Sequence, residues 1–487
     1  MPTMNLDSAD MLRVIREYTR SVEQEFTDLP LAVDGTLPPA LDGVLFRNGP
    51  GRFERGGHRY AHPFDGDGHV LRLALGPGGV RYTNRFVRTR EFVREERAGR
   101  MLYRSFGTNL PGGVPANLLR LAFKNAANTN VIWHGGRLLA LWEAAAPYRL
   151  DPHTLATLGP EDFDGQLRNQ GSWLSRRLAP LLPFSAHPRI DSATGDLYSF
   201  GLVSGRNPEL LLYRVDRGGR MDPWQAHPLP RYTFVHDFAV TRRWICALLP
   251  QAEFGLGRAA LGLTTAVGSL RLDTERPMQA LLLPRAGDHP PAHIDCATGF
   301  VFHIAQAFDR DDGALVLDVI RYSRYPELDR FEALFEAADG TALPRLERLV
   351  IDPARGRSSI TPWGGCGFEL PTAAPRPLGD AARVLYGIGA PEGRQAPYLS
   401  AIQRLDTETG ALTSRDFGLD LVGEPVPVAD PAGDEGWLLC LRHRAGRQRT
   451  ELMVLRAADL ATVATAALPH AVPVGFHGCW VPRAALE

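Results

Sequence analysis

Short strand-like runs, separated by turns that follow one recurring pattern, constrain the fold of this 487-residue chain more than any other feature. In this pattern an apolar residue precedes an aspartate, and a few polar residues and usually a glycine follow it. Aspartate and glycine between apolar runs are typical of β-hairpins, because tight hairpin turns need backbone angles that these residues adopt readily. The six aspartates of the pattern are Asp151, Asp191, Asp216, Asp295, Asp352 and Asp406.

Many short strands joined by such turns predict an all-β fold. The clearest predicted strands are residues 43–47, 69–75, 131–142 with a break at 134–136, 232–250, 300–308, 314–322, 383–387, 436–441 and 452–455. Copies of the turn pattern lie about 25 to 80 residues apart, and several of these intervals suit the roughly 40–50-residue blade of a β-propeller with inserted loops. A propeller is the first interpretation of these residues, and two β-sandwich domains are the second. One helix is predicted at residues 8–20, where Ser8 can act as the N-cap.

Composition is typical of a folded, turn-rich protein. The 49 glycines and 39 prolines are together about 18% of the chain, above the usual roughly 12% but below the roughly 25–30% of disordered proteins. The 54 basic and 55 acidic residues nearly cancel, and neither sign forms a long block. Since a grip on nucleic-acid phosphates requires a basic surface, we expect no nucleic-acid partner.

Neither a disulfide framework nor a membrane span is predicted. The cysteines are odd in number, far apart and without a C-x-x-C pair: Cys246, Cys296, Cys366, Cys440 and Cys479. The N-terminal segment lacks the apolar core of a secretory signal, and no stretch approaches the roughly 18 apolar residues that cross a bilayer. These features favour the reducing cytoplasm. No linker divides the chain, so residues 1–487 are expected to form one domain.

Three segments resemble strands less than the rest of the chain does: residues 106–122, 160–183 and 254–267. Four apolar residues lie in or beside the first of them: Leu118, Leu119, Leu121 and Phe123. Apolar insertions of this kind are usually buried in a core. The alternative is an exposed patch that dips into a membrane.

Four of the fourteen histidines lie in surroundings that favour more than a surface role: His187, His236, His303 and His477. His236 and His303 lie within apolar runs, where a buried imidazole needs partners for both nitrogens. The separations of 49, 67 and 174 residues between successive members are too long for a zinc finger. They suit one ligand from each of several sheets that converge on an axis.

Three glutamates also lie in apolar settings: Glu143, Glu369 and Glu424. A buried carboxylate without a partner costs several kcal/mol, so each needs a donor if it is buried. A carboxylate that accepts the N–H of a metal-bound imidazole fixes the ring and makes it more basic. Surface turns are the alternative placement for these residues.

Short motifs in a consistent order resemble those of the carotenoid cleavage oxygenases, from about residue 30 to the C-terminus. They are LFRNGPG (45–51), HPFDGDG (62–68), ANTN (127–130), AHPR (186–189), HDF (236–238), GEP (423–425) and HG (477–478). Within that family the chain is most similar to bacterial apocarotenoid oxygenases, which cut apocarotenals at the 15,15′ bond to give retinal. The segments that carry this closer similarity are LLALWE (138–143), GFVFH (299–303) and DEGWLLCL (434–441).

This resemblance implies a seven-bladed propeller with a dome of loops and helices over an iron site on its axis. It implies that the four histidines bind one Fe(II), and that three of them are held by glutamates, in the pairs Glu143–His236, Glu369–His303 and Glu424–His477. Thr129 falls where the family places a methyl group near one of two open coordination positions. Trp142 and Phe302 would line a tunnel for a polyene.

The implied activity is an Fe(II)-dependent dioxygenase reaction in which O₂ cleaves one C=C bond of an apocarotenoid to retinal and a second aldehyde. Imidazole suits Fe(II), and four neutral imidazoles leave up to two positions of an octahedron free for O₂. The substrate is an apolar polyene, so the apolar segments near residues 118–123 and 254–267 are expected to contact the inner face of the membrane reversibly. No obligate protein partner is implied.

Departures from the family pattern and competing interpretations remain. Ile304, Ala305 and Gln306 follow His303, where relatives commonly have the pattern His-x-Asn, and Pro427 stands where many have an aromatic residue. Stilbene-cleaving members carry a lysine where this chain has Trp142, which favours a long apolar substrate over a phenolic one, although stilbene cleavage stays an alternative. His293 and Asp295 form the H-x-D pair of 2-oxoglutarate oxygenases, but Asp295 is expected to serve a turn. A propeller that acts only as an interaction scaffold would be indifferent to iron.

Overall fold

The structure is a computed structural model that describes residues 13–14, 16–120, 123–323, 343–364, 367–390, 400–431 and 435–487. Seven antiparallel sheets of four or more strands follow one another along the chain as the blades of a β-propeller. The inner strands of blades 4 and 5, 5 and 6, 7 and 1, and 1 and 2 contact one another near the central axis. The predicted all-β propeller is therefore confirmed, and the alternative of two sandwich domains is wrong.

Blades 2 to 6 each contain four strands in chain order. They are Asn130–His134, Arg137–Leu141, Tyr148–Leu150 and Thr157–Pro160 in blade 2; Arg189–Ile190, Leu197–Val203, Glu209–Val215 and Gln225–Pro228 in blade 3; and Phe238–Val240, Trp244–Leu249, Pro277–Pro284 and Ala292–Thr298 in blade 4. Blade 5 has Phe300–Asp309, Leu315–Tyr322, Arg345–Asp352 and Arg357–Pro362, and blade 6 has Glu369–Thr372, Val384–Gly389, Ala401–Asp406 and Leu412–Asp416.

Both ends of the chain close the ring. Blade 1 contains Leu29–Leu31, Gly43–Arg52, Asp67–Gly76, Gly79–Phe86 and Gly478–Pro482; blade 7 contains Val33–Gly35, Leu421–Val422, Val426–Val428, Trp437–Arg444, Arg449–Arg456 and Thr462–Ala467. The C-terminal strand Gly478–Pro482 pairs with Gly43–Arg52, and the N-terminal strand Val33–Gly35 pairs with Thr462–Ala467. Each terminal strand thus completes a blade built from the other end of the chain, which holds the axis in a fixed geometry.

Aspartates of the turn pattern seen in the sequence accept backbone hydrogen bonds in turns between strands. Asp151, for example, accepts the backbone N–H of Thr154 at 2.7 Å in the last turn of blade 2. Asp295 is the exception, because it lies inside the strand Ala292–Thr298 and not in a turn. The single strand predicted at 232–250 is two strands instead, Phe238–Val240 and Trp244–Leu249, and residues 232–237 form a loop before them.

Connections between strands carry the helices: α1 (Arg90–Ala98), α2 (Gly113–Asn117), α3 (Trp173–Leu178) and α4 (Leu256–Ala260). We call residues 87–129, 161–188 and 250–276 the dome, within their described parts. Three predicted non-strand segments lie here. The dome also contains the hairpin of Ala252–Phe254 with Leu270–Leu272 and the 3₁₀ turn Val267–Ser269. Small elements outside the dome are the hairpin of Glu54–Arg55 with His58–Arg59 and the 3₁₀ turns Pro63–Asp65 and Arg483–Ala485. Of the helix predicted at 8–20, residues 13–14 and 16–18 are helical and residues 19–20 are not, and residues 8–12 and 15 lie outside the described part.

A buried ion cluster fastens the dome to blade 1. The ammonium of Lys124 lies 3.0 Å from Asp67 of blade 1 and 3.5 Å from Glu95 of α1. Arg55 contacts the same two carboxylates, at 3.0 and 3.6 Å. Because each buried charge has a partner of opposite sign, the cluster avoids the cost of isolated buried ions. Among the described helices, none is long and apolar enough to cross a membrane.

Candidate metal centre

Four buried imidazole rings converge where the first strands of the blades meet. These rings belong to the four histidines that the sequence distinguished: His187, His236, His303 and His477. The ring of His187 lies 4.4 Å from that of His236, 4.6 Å from that of His477 and 5.1 Å from that of His303, measured between centroids. The His303 ring is 5.1 Å from His236 and 5.2 Å from His477.

The positions of the histidines along their strands explain this convergence. His187 and His236 lie two residues before the first strands of blades 3 and 4, and His477 lies one residue before the innermost strand of blade 1. His303 lies inside the first strand of blade 5, where two shifts of register against the neighbouring strand mark bulges. A β-bulge re-aims the side chains beside it, which lets a residue within a strand join three that precede strands.

A carboxylate accepts a hydrogen bond from the outer nitrogen of three of the rings. The pairs, with the distance from Nδ1 to the carboxylate oxygen, are His236–Glu143 (2.7 Å), His303–Glu369 (2.6 Å) and His477–Glu424 (2.7 Å). His187 has no such carboxylate among the described residues. Glu143 comes from blade 2, Glu369 from blade 6 and Glu424 from blade 7, so each of the seven blades contributes one residue to the centre.

The three glutamates differ in the side chains that bind them besides their histidines. The sequence analysis assigned no role to these side chains. The hydroxyl of Tyr322 donates a hydrogen bond to Glu369 at 2.7 Å. The guanidinium of Arg47, which is fully buried, forms an ion pair with Glu424. Glu143 is a quarter exposed and has His236 as its partner. A tyrosine and an arginine far away in the sequence could be found only once the blades were placed.

The electrostatics disfavour a proton on His187 and His477 but favour a positive charge on the ring beside Glu369. Burial, and then the neighbouring imidazoles, lower the pKa of His187 well below its ordinary value. Burial also lowers the pKa of His477, against the effect of Glu424. Burial would raise the pKa of Glu369, but His303, together with the hydrogen bonds from Tyr322 and the backbone of Leu370, outweighs it and the net pKa is lowered. The pKa of His303 is raised in turn because its carboxylate outweighs the effect of burial.

The inner nitrogens have the chemistry of a metal site. One ring nitrogen from each of His187, His303 and His477 lies within 4.8 Å of the other two, and the Nε2 atoms of His187 and His236 face each other at 2.9 Å. Two imidazoles bound side by side to one ion, with bonds of about 2.1 Å, would place their nitrogens about 3 Å apart. Nε2 of His303 is buried and has no hydrogen-bond partner in the described part of the chain. A divalent cation fits these residues, because the inner nitrogens are spaced as ligands of one ion would be. Such an ion would bind the same lone pairs that a proton binds.

The other predicted site residues lie beside this centre. The carbonyl of Thr129 accepts the backbone N–H of His477 at 3.2 Å, which places Thr129 next to the fourth ring. Trp142 is half-buried in the turn that carries Glu143. Phe302 is buried and its ring meets that of His236 edge-on, at 5.0 Å between centroids.

A row of aromatic rings leads from the centre into the dome. Phe302 packs against Phe300 at 4.8 Å, Phe300 against Phe234 at 5.7 Å, and Phe234 against Phe106 at 6.5 Å between ring centroids. Phe106 is the first residue of the segment 106–122, which lies in the dome. An aromatic wall of this kind suits a flat, conjugated ligand.

The dome exposes an apolar patch, which consists of Val114, Leu118, Leu119, Phe123, Leu261 and Leu263. Leu119 is 69% exposed and Leu118 is 48% exposed. The two segments of the patch are joined, because the backbone N–H of Leu119 donates to Ala260 at 2.8 Å. Large exposed apolar residues grouped in this way mark an interaction surface. Leu121 lies outside the described residues.

The 2-oxoglutarate oxygenase alternative finds no support in the described structure. His293 and Asp295 are exposed on the outermost strand of blade 4, away from the histidine cluster. The H-x-D interpretation therefore fails on placement, although Asp295 does not serve the turn that was expected. Cys246, Cys296, Cys440 and Cys479 are free thiols, and Cys366 lies outside the described residues.

Comparison with known proteins gives a consistent result over nearly the whole chain. Residues 19–482 match the family described as RPE65, retinal pigment epithelial membrane protein. Apocarotenoid-15,15′-oxygenase of Synechocystis is 36% identical over 482 residues, covering 96% of this chain and 95% of the relative. Isoeugenol monooxygenase of Pseudomonas nitroreducens is 29% identical over 487 residues, covering 95% and 96%. The solved structure of cobalt-substituted apocarotenoid oxygenase of Synechocystis has a TM-score of 0.89 and 35% identity, covering 98% of this chain and 99% of that one.

Proposed function

The chain belongs to the RPE65/carotenoid oxygenase family, and from this premise we propose that it is an Fe(II)-dependent dioxygenase that cleaves the 15,15′ double bond of an apocarotenoid. O₂ is the co-substrate, and the products are retinal and a second aldehyde. The observation that supports the proposal is the convergence of four buried imidazoles, three of them held by glutamates. Within the described part of the chain, the group of side chains that could hold a metal ion consists of histidines alone. We assign His187, His236, His303 and His477 as the iron ligands.

The residues of the chain orient and shield the reaction. Bound Fe(II) supplies the redox chemistry that activates O₂. Glu143, Glu369 and Glu424 keep Nδ1 of their histidines protonated, so that Nε2 presents its lone pair to the axis. Four neutral donors leave the ion its full double charge. No general acid or base is required, because the reaction adds both oxygen atoms to one alkene and splits it into two carbonyls.

Which double bond is cleaved depends on how far a rigid polyene extends into the site. Phe302 lies against His236, and the row of rings through Phe300, Phe234 and Phe106 continues away from the centre. Stacking on such a row aligns a conjugated chain without any hydrogen bond. Trp142, which precedes Glu143, occupies the position at which stilbene-cleaving members of the family carry a lysine that binds a phenol. An apolar chain therefore suits the site better than a phenolic one.

We also propose that the apolar patch of the dome rests on one leaflet of a membrane at its cytoplasmic face. A polyene is dissolved in the bilayer, and the row of aromatic rings begins in the same dome segment that carries Leu118 and Leu119. Exposed leucines in the same dome segment as this row would let the substrate leave the bilayer without crossing water.

Product analysis tests the proposed reaction. Iron-loaded protein is incubated under ¹⁸O₂ with an apocarotenal, a full-length carotenoid, a stilbene and isoeugenol, and the aldehydes are identified by mass. Retinal from the apocarotenal, with ¹⁸O in both new carbonyls before exchange with water, is the expected result. Cleavage of the stilbene or isoeugenol alone would contradict the apolar-substrate assignment, and no cleavage of any substrate would contradict the proposed activity.

A further inference from the structure

The residues that follow three of the four histidines in the chain also meet one another. Arg189 lies two residues after His187, and Asp237 follows His236 directly. Nη2 of Arg189 lies 2.6 and 2.5 Å from the two carboxylate oxygens of Asp237. The side chain of Asp237 is 2% exposed and that of Arg189 is 26% exposed. This ion pair joins blade 3 to blade 4 immediately beside the rings.

The same pair reaches the third histidine through the backbone of its neighbour. The N–H of Ile304 donates to Oδ2 of Asp237 at 2.7 Å, and the carbonyl of Ile304 accepts from Nη2 of Arg189 at 2.9 Å. Ile304 follows His303 in the bulged part of the first strand of blade 5. Buried backbone groups must be paired, and here two side chains from other blades pair them.

Arg189 and Asp237 also fix the start of the first strand of blade 4. Nε of Arg189 donates to the carbonyl of Phe238 at 3.0 Å, and the N–H of Phe238 donates to Oδ1 of Asp237 at 2.7 Å. Both oxygens of the carboxylate therefore accept a backbone N–H, one from blade 4 and one from blade 5. Each contact lies one or two residues from a ring of the centre.

We propose that Arg189 and Asp237 are a positioning pair that sets the distances among the rings of His187, His236 and His303, and thereby the affinity of the site for its metal. The inference rests on the proposed metal centre. It goes beyond the glutamates, because each glutamate orients one ring while this pair fixes three ligand-bearing segments relative to one another. Positioning of ligands by surrounding groups typically contributes about tenfold to a hundredfold in metal affinity.

Substitutions at the pair have a defined chemical consequence. In Asp237→Asn, the amide can accept through its oxygen but not through its nitrogen, so the N–H of either Phe238 or Ile304 loses its acceptor. In Arg189→Met, the volume of the side chain is largely kept while the contacts to Asp237 and Ile304 are lost. Both changes leave the four imidazoles and their glutamates in the chain.

The ion pair between Arg442 and Asp420 in blade 7 is a matched control. Nε of Arg442 lies 2.7 Å from Oδ2 of Asp420, whose Oδ1 accepts the backbone N–H of Ala445 at 2.8 Å. The side chains of Arg442 and Asp420 are 19% and 12% exposed, so the pair is comparably shielded. In the described part of the chain, neither side chain is hydrogen-bonded to one of the four histidines of the centre. Asp420→Asn and Arg442→Met remove the same kind of bonds away from the centre.

Titration of the metal-free full-length proteins with Co(II), followed by its visible absorption, measures the affinity and the ligand field, and thermal unfolding is measured in parallel. We expect Asp237→Asn and Arg189→Met to weaken Co(II) binding about tenfold to a hundredfold and to change the absorption spectrum. Asp420→Asn and Arg442→Met are expected to keep the parent affinity and spectrum even where they lower the unfolding temperature.

Unchanged affinity and spectrum at the Arg189–Asp237 pair would overturn the inference, and so would equal weakening by the control pair. Failure of both Asp237→Asn and Arg189→Met to fold, while the control variants fold, would also overturn it, because the pair would then serve the fold as a whole. A parent protein that binds no Co(II) or Fe(II) would instead remove the proposed metal centre, and this inference with it.

Discussion

Replacing His303 with alanine is expected to abolish iron binding and alkene cleavage while the propeller persists. The ring of His303 contributes one of four inner nitrogens and is held by Glu369 at 2.6 Å. Its removal deletes a donor and leaves a buried carboxylate facing an empty space, which favours a proton on Glu369 over a metal on the axis. Loss of a group that only contacts a metal ligand typically lowers metal affinity or activity about tenfold to a hundredfold. Because His303 is itself a proposed ligand, we expect turnover to fall by more than about a hundredfold.

Metal analysis of the purified protein and product analysis with an apocarotenal measure this loss together. His293→Ala is the matched control, because His293 is exposed on the outermost strand of blade 4. It is expected to keep the iron content and activity of the parent. A His303→Ala protein that retains stoichiometric iron and cleaves its substrate would contradict the assigned ligand set and would favour a scaffold or a different active site.

The double substitution Leu118→Glu/Leu119→Glu is expected to abolish flotation of the protein with liposomes. Burial of a leucine side chain is worth up to about 1.5–3 kcal/mol, so two leucines supply up to about 3–6 kcal/mol, or a partition factor between roughly a hundred and ten thousand. Glutamates at the same positions would in addition have to lose water at the lipid surface. Because both leucines are exposed, the fold and the cleavage of a detergent-solubilised substrate should be unaffected.

Flotation of the parent should also be insensitive to salt, because the patch is apolar rather than charged. Leu158→Glu/Leu412→Glu is the matched control, since both leucines are exposed but lie on the outermost strands of blades 2 and 6. That variant is expected to float like the parent. Equal flotation of the Leu118/Leu119 variant, or a parent protein that never floats, would contradict membrane contact through the patch.

The all-β propeller could be predicted from the sequence because its signals are local. Hairpin turns depend on a few adjacent residues, and the glycine pair in 134–136 divides residues 131–142 into two strands as expected. Asp295 shows the limit of such signals. Its neighbours resemble those of the turn aspartates, but pairing with a strand from Pro277–Pro284 keeps it in extended backbone. Tertiary pairing decided what the local pattern left open.

Only part of the candidate site could be predicted from such local signals. Apolar surroundings distinguished His236 and His303, but the pairing of each ring with its glutamate came from the family resemblance and not from spacing. Nothing near Tyr322 or Arg47 in the sequence indicates that they contact Glu369 and Glu424. Such contacts join blades that are distant in the chain, and they exist only because the closed ring brings the first strands of all blades together.

X-ray absorption at the iron edge of the Fe(II)-loaded parent protein tests the central claim most directly, because outer-shell scattering from imidazole rings counts the histidines around the ion. Four imidazoles at about 2.1 Å, with no protein carboxylate bound to the iron, are the expected result. Two or three imidazoles together with a carboxylate oxygen would contradict the four-histidine centre, and the oxidative cleavage proposed for this chain would have to be abandoned.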